Sequence, residues 1–235
     1  RKRRRNDGGG KCAGIPAQHH AAGKGEYSMI NVLLVEDRKM SRDCMTGYIK
    51  SSDRYQLAAH TQNAGMAEIL CMQNKIDLIL MDVCTANNED GIEATAAIKR
   101  HFPNIKVIIV TGMTTIDLID RARAANADSF WYKEIEGDEL LDVMDRTMNG
   151  EHIYPDKTPL VHFGNMPSTE ISERELEVLR LVANGSTDAA VAETLHMSLP
   201  TVRYHVTQLL QKTGYDNRVQ LIADLINKDF VVPGL

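Results

Sequence analysis

The sequence predicts a doubly wound α/β unit with a five-stranded parallel sheet, followed by an all-α unit of four helices. Three observations predict it. Short, strongly apolar runs recur through the first half, each ended by a polar residue. Segments of helical periodicity lie between them, and from Thr169 onward the runs give way to short amphipathic stretches with marked ends.

In order, the run Asn31 to Val35 ends in Glu36 and Asp37, Ile76 to Met81 in Asp82, Val107 to Val110 in Thr111, and Phe130 to Tyr132 in Lys133. Runs this apolar read as strands buried on both faces. The helical stretches are Met40 to Ile49, Met66 to Met72, Ile92 to Ile98, Ile116 to Ala124 and Glu139 to Met148. Five strands alternating with five helices over residues 29–149 make a parallel sheet with helices on both faces. Such a sheet gathers its functional groups beyond the carboxyl ends of its strands. Three carboxylates, a hydroxyl and an amine therefore converge in one pocket.

The order acid pair, lone Asp, Thr, Lys, with gaps of 45, 29 and 22 residues, resembles the receiver domain of two-component response regulators, a flavodoxin-like fold. Taken singly, each residue has a plainer reading. Thr111 suits a turn, Lys133 a solvated loop and Phe130 a core, and Asp82 could merely cap the next helix. Their joint spacing overturns those readings.

The chemistry also follows from the residue types. A hard cation such as Mg²⁺ prefers oxygen ligands; with Glu36 and Asp37 holding it, Asp82 can coordinate through one oxygen and attack phosphorus with the other. Phosphoryl transfer asks mainly for positioning and charge neutralisation, which the metal and Lys133 supply on opposite sides. The product is an aspartyl phosphate on Asp82. The resemblance further implies that the Cys84 backbone carbonyl is the third protein ligand. It also implies that Thr111 follows the phosphoryl group inward while Phe130, three residues before Lys133, rotates into the vacated space. The chain departs from the usual pattern in the loop after Asp82, which lacks proline and reaches Gly91 one residue late; metal access and phosphate lifetime depend on that loop.

In the second unit, Ser172 and Glu175 form a capping box before a helix carrying Leu176, Val178, Leu179, Leu181 and Val182. Gly185 stops that helix, Ser186 or Thr187 starts the next, running from Ala189 to Leu195, and Ser198 caps a third that tolerates Pro200 in its first turn. Two helices joined by a short turn, within four in all, predict a helix-turn-helix over residues 169–235. Ile171 to Glu175, Val178-Leu179, Ala183 to Gly185, Val191-Ala192, Ser198 to Val202, His205, Lys212 to Gly214 and Asn217-Arg218 resemble the LuxR-type DNA-binding domain. With the receiver in front, the whole resembles a NarL-type response regulator. Asp188 departs from the amide and basic residues usual at the start of the scaffold helix.

On the third helix Val202, Val206, Leu209 and Leu210 form the inward stripe. Arg203, Tyr204 and Thr207 can then reach base edges in a major groove, while Thr201, His205 and Lys212 hold phosphates. Residues 151–235 contain 7 Lys/Arg and 11 Asp/Glu, a net of −4. Thr194 to Tyr215, by contrast, contains no acid. So little positive charge predicts weak monomer binding and a homodimer on repeated half-sites of promoter DNA.

The partners implied are a sensor histidine kinase, double-stranded promoter DNA and a second copy of the chain when phosphorylated. A regulator that binds DNA without phosphate control is the alternative. A phosphatase working through an aspartyl phosphate needs an acid where Cys84 stands, so the chain reads as no enzyme. At 235 residues with 25% charged and 43% hydrophobic, the composition suits two domains. Cys12, Cys44, Cys71 and Cys84 have no paired or metal-binding spacing, which suits the cytoplasm, and no apolar run is long enough to span a membrane. Residues 150–168 read as a linker. Residues 1–28 belong to neither domain; Arg1 to Arg5 is a basic block, but Lys24 to Glu26 can be encoded by a ribosome-binding sequence just ahead of Met29, so the segment is expected to be translated leader or disordered.

Overall fold

The computed structural model describes residues 29–115, 117–133, 139–228 and 230–231. The basic block at Arg1 to Arg5, the leader expectation for residues 1–28, Cys12, and Ile116 at the start of the expected fourth helix lie outside the described residues.

The first unit alternates strand and helix: β1 Ile30–Val35, α1 Lys39–Ser51, β2 Tyr55–Thr61, α2 Ala67–Gln73 and β3 Leu78–Met81. A small hairpin follows, β4 Cys84–Thr85 and β5 Glu89–Asp90, then α3 Gly91–His101, β6 Lys106–Thr111, α4 Leu118–Ala124, β7 Ser129–Tyr132 and α5 Leu140–Met148. The five-stranded sheet has the order β2-β1-β3-β6-β7, with every pairing parallel. Its two faces bury separate cores. Leu33, Val35, Ile79, Met81, Val107 and Ile109 face α2, α3 and α4, and Val32, Leu34, Leu78, Leu80, Ile108 and Val110 face α1 and α5. Alternation along each strand, apolar on both sides, is what a doubly covered parallel sheet requires.

The outer edge of β7 is covered by chain from the expected linker. The Phe130 amide donates to the Ile153 carbonyl (2.7 Å), the Ile153 amide to Ser129 Oγ (3.1 Å), and Arg123 lies over the Tyr154 ring at 3.9 Å. At its other end β8 His162–Phe163 pairs with β9 Met166–Pro167, and Phe163 and Met166 are buried in the core of the second unit. Residues 150–168 are thus fastened to both units, because their apolar side chains have somewhere to go.

The second unit comprises α6 Glu173–Ala183, α7 Asp188–Thr194, α8 Leu199–Thr213 and α9 Arg218–Asn227. The N-caps of α6, α7 and α8 are the expected ones. Ser172 and Glu175 make the reciprocal capping box, Thr187 caps α7, Ser198 caps α8 and Gly214 closes it at φ +77°. Among the described residues no helix is long and apolar enough to cross a membrane.

The two units touch through the segment that follows β6. Thr115 Oγ1 donates to the Phe230 carbonyl (2.8 Å), and Arg180 of α6 donates through Nη2 to both carboxylate oxygens of Asp117, each at 2.9 Å.

Candidate functional site

Glu36, Asp37 and Asp82 meet at the carboxyl ends of β1 and β3, each offering an oxygen within 4.8 Å of the others. Lys133, just past β7, reaches in and donates to Asp82 Oδ2 (2.8 Å) and Glu36 Oε2 (2.5 Å). The other Glu36 oxygen accepts from the Arg38 amide (2.9 Å), so Glu36 is fully engaged. Asp37 Oδ1, by contrast, is buried without a hydrogen-bond partner.

Burial pushes the Asp82 pKa up to about 7; Glu36 and Asp37 add to the push and Lys133 opposes it. Burial alone would drive Lys133 toward its neutral form, but the Asp82 and Glu36 charges prevail and hold its pKa above the ordinary value. Three carboxylates facing this ammonium, with one buried oxygen unpartnered, form a hard-oxygen donor set that suits Mg²⁺.

Asp82 does not cap a helix. That role belongs to Asp90, whose Oδ1 accepts from the Ile92 (2.7 Å) and Glu93 (3.4 Å) amides of α3 and whose other oxygen pairs with Arg121 of α4. Gly91 explains the spacing of this loop, since a Cβ there would stand 1.9 Å from the Asp82 carbonyl oxygen. The extra residue in the loop is absorbed by the β4–β5 hairpin, with Asn87 at φ +65° and Glu89 accepting from the Gly65 amide. Cys84 is half-buried at the start of this hairpin.

Thr111 is fully buried at the end of β6; its Oγ1 accepts from the Met113 amide (3.0 Å), which leaves the hydroxyl proton to donate. Its carbonyl accepts from the Lys133 amide (2.9 Å), so the hydroxyl and the ammonium share one backbone tie. Phe130 is buried edge-on against Tyr132, with ring centroids 4.8 Å apart, and lies 6.5 Å from Tyr154. Sequence reading missed Arg42, whose Nη1 donates to the Glu36 (3.0 Å) and Asp37 (3.1 Å) carbonyls and braces the acid pair. A basic residue in the first turn of α1 was the available signal.

In α8, Val202 and Leu209 are buried, with Val206 and Leu210 half-buried beside them. Thr201, Arg203, Tyr204 and Thr207 are exposed and His205 is half-buried. Tyr204 is 60% exposed, so the receiver-like unit does not cover this face. Lys212 is turned back onto its own unit, donating to Glu175 Oε1 (2.7 Å). The Thr207 hydroxyl donates to the Arg203 carbonyl (2.8 Å).

The chain matches the family model of the response regulator receiver domain over residues 32–145 and that of bacterial regulatory proteins of the luxR family over residues 169–224. The response regulator protein VraR of Staphylococcus aureus is 30% identical over 199 residues, covering 82% of this chain and 94% of that protein; VraR of Staphylococcus epidermidis is 29% identical over the same span. Among solved structures, a complex of the two-component response regulator RcsB with DNA matches with a TM-score of 0.54 at 18% identity, covering 85% of this chain and 98% of that one. RcsB from Salmonella enterica serovar Typhimurium, bound to a promoter in the presence of a phosphomimetic, matches at 0.52 and 18% identity, over 83% of this chain and 98% of that one. At that identity the two structures speak for the fold.

Proposed function

Because the chain belongs to the response regulators that join a receiver domain to a LuxR-family regulatory domain, we propose that it is a cytoplasmic, DNA-binding transcription regulator switched by a sensor histidine kinase that phosphorylates Asp82. Residues 29–149 are the receiver, 150–168 the connection and 169–235 the DNA-binding domain. The observation that carries the reading is the meeting of Asp82 with Lys133 beside the unpartnered Asp37 oxygen.

An Asp82 oxygen attacks the donor phosphorus. A P–O bond forms, the P–N bond of the donor phosphohistidine breaks, and the imidazole leaves with the electron pair and takes up a proton. Asp37, Asp82 and the Cys84 carbonyl, with Glu36 alongside, would hold Mg²⁺, and that ion would supply positive charge to the phosphoryl transfer. Lys133 supplies the balancing charge from the protein. Thr111 turns its free proton to a phosphoryl oxygen, and Phe130 moves into the space it leaves.

Thr111 heads the segment whose Thr115 and Asp117 touch the second domain, so a shift there reorients that domain. Thr201, Arg203, Tyr204, His205, Thr207 and Lys212 are the DNA-contact set. Their face is already open, so phosphorylation acts by pairing two copies on promoter DNA rather than by uncovering α8. The same openness favours the second reading, in which DNA is bound without phosphate control.

Sizing and promoter-fragment binding, with and without Mg²⁺ and a small-molecule phosphodonor, separate the two when Asp82→Ala is run beside the wild type. Phosphodonor-dependent pairing and tighter DNA binding, both lost in the variant, are expected. Equal DNA binding by both proteins under every condition would leave the receiver as a scaffold.

A further inference from the structure

Helix α8 carries two cations, Arg203 and Lys212, and each has a carboxylate partner from another helix. Lys212 is held by Glu175 of α6 at 2.7 Å. Arg203 faces Asp188, the first residue of α7, whose Oδ2 lies 3.6 Å from Arg203 Nε while its Oδ1 accepts from Arg218 Nη1 at 3.0 Å. The sequence between Thr194 and Tyr215 is free of acid, yet the fold returns an acid to the face that reads DNA.

The placement has a consequence for affinity. Binding to arbitrary DNA rests on free cations that displace counterions from phosphates. A cation already partnered by a carboxylate gives up that partner to reach a phosphate, and the carboxylate oxygen it leaves, Asp188 Oδ2 here, then faces the same phosphate with like charge while Arg218 keeps the other oxygen. A base edge offering two aligned acceptors to a guanidinium repays the exchange far better than a lone phosphate does. Asp188 and Arg203 are respectively 24% and 67% exposed at the side chain, so the pair is loose enough to be exchanged.

Resting on the DNA-binding reading above, we propose that Asp188 is a specificity-determining residue. It positions Arg203 and withholds its charge from non-cognate DNA, so that Arg203 engages only where base edges replace the carboxylate. An acid in the first turn of α7 also stabilises that helix, so the test needs readouts that helix stability does not move.

The experiment uses the full chain with Mg²⁺ and a small-molecule phosphodonor. Two probes are compared: a pool of random-sequence duplexes, and a duplex that the wild type enriches from that pool. Wild type, Asp188→Asn, Asp188→Glu, Arg203→Ala and the Asp188→Asn/Arg203→Ala double variant are titrated at several salt concentrations.

Asp188→Asn is expected to bind the random pool about tenfold more tightly, with a salt slope steeper by about one contact. The selected duplex should gain less, so that the ratio of the two affinities falls. Asp188→Glu should keep the wild-type ratio, and the asparagine effect should vanish in the Arg203→Ala background. An Asp188→Asn protein that melts like wild type and keeps its affinity ratio and salt slope overturns the proposal. So does an asparagine effect that persists in full without Arg203, since the carboxylate would then act by bulk charge or through Arg218. If the wild type enriches no sequence at all, the DNA-binding reading itself fails and takes this inference with it.

Discussion

The carboxylate pocket of the receiver and the exposed face of α8 pair the same charges in opposite surroundings. In the pocket, Lys133 is 14% exposed at the side chain against Glu36 at 0% and Asp82 at 6%. On α8, Arg203 is 67% exposed against Asp188 at 24%. A buried pair is costly to break, because the survivor is left charged without water or partner. An exposed pair is worth little and is exchanged easily. The first arrangement suits a site that holds its charges still until chemistry changes them. The second suits a surface that trades an internal partner for an external one.

Breaking the buried side should have the largest effect. Lys133→Ala leaves two buried carboxylates facing each other and is expected to cost about 3–5 kcal/mol, read by urea unfolding without divalent cation. Asp82→Asn should move stability the other way, since it removes one of three negative charges. A Lys133→Ala protein within ~1 kcal/mol of wild type would show that the pocket behaves like the surface.

The pocket is also tight at its backbone. Gly91→Ala sets a Cβ 1.9 Å from the Asp82 carbonyl oxygen, and the displacement should cost about 3 kcal/mol. Phosphorylation by a small-molecule donor should slow in parallel, because the atom displaced belongs to Asp82, the proposed acceptor. Unfolding and phosphorylation rates unchanged from wild type would mean that the loop has slack.

Asp128 sharpens the contrast as a second buried acid, whose lysine partners are more exposed than it is. Its carboxylate, 5% exposed at the side chain, accepts from Lys99 and Lys106 and from the Val107 amide. Burial alone would raise its pKa, but these hydrogen bonds outweigh burial and hold it below the usual carboxylate value. A depressed acid contributes stability above its unfolded pKa, about 3.9, and loses it as pH falls through the lower folded value. Asp128→Asn should therefore cost about 2 kcal/mol at neutral pH, with the gap to wild type closing in the acid range. A gap of constant size across the titration would show that packing, not charge, is lost.

The smallest effect is expected between the domains. Arg180→Ala removes a pair exposed by 29% and 33% at the side chains and should change stability by less than about 1 kcal/mol. Small-angle scattering should nonetheless register a broader range of domain separations. An unchanged scattering profile would assign the interdomain hold to other contacts, such as Thr115 with Phe230 and the segment fastened to both units.

Much of this was legible from local chemistry. Val35, Met81 and Val110 stand among uninterrupted apolar residues, and a polar residue after each marks where a strand leaves the core. Ser172 and Ser198 act on amides three residues further on, so their roles are written in the spacing. Strand β2 was harder to locate, because at the sheet edge its residues after Tyr55 alternate between exposed and half-buried and no functional residue ends it. Arg42 was missed because its targets are carbonyls, which have no identity in a sequence.

By itself the sequence determined the β-α alternation of the first unit, the capped starts of α6, α7 and α8, and the gathering of Glu36, Asp37, Asp82, Thr111 and Lys133 beyond the strand ends, since each follows from periodicity or from groups a few residues apart. The tertiary structure alone decided which charges meet: Asp90 with Arg121, Asp117 with Arg180, Glu175 with Lys212 and Asp188 with Arg203. Those partners lie 15 to 63 residues apart in the chain. Coulomb attraction acts through space, and helix packing brings the two side chains of each pair within its reach.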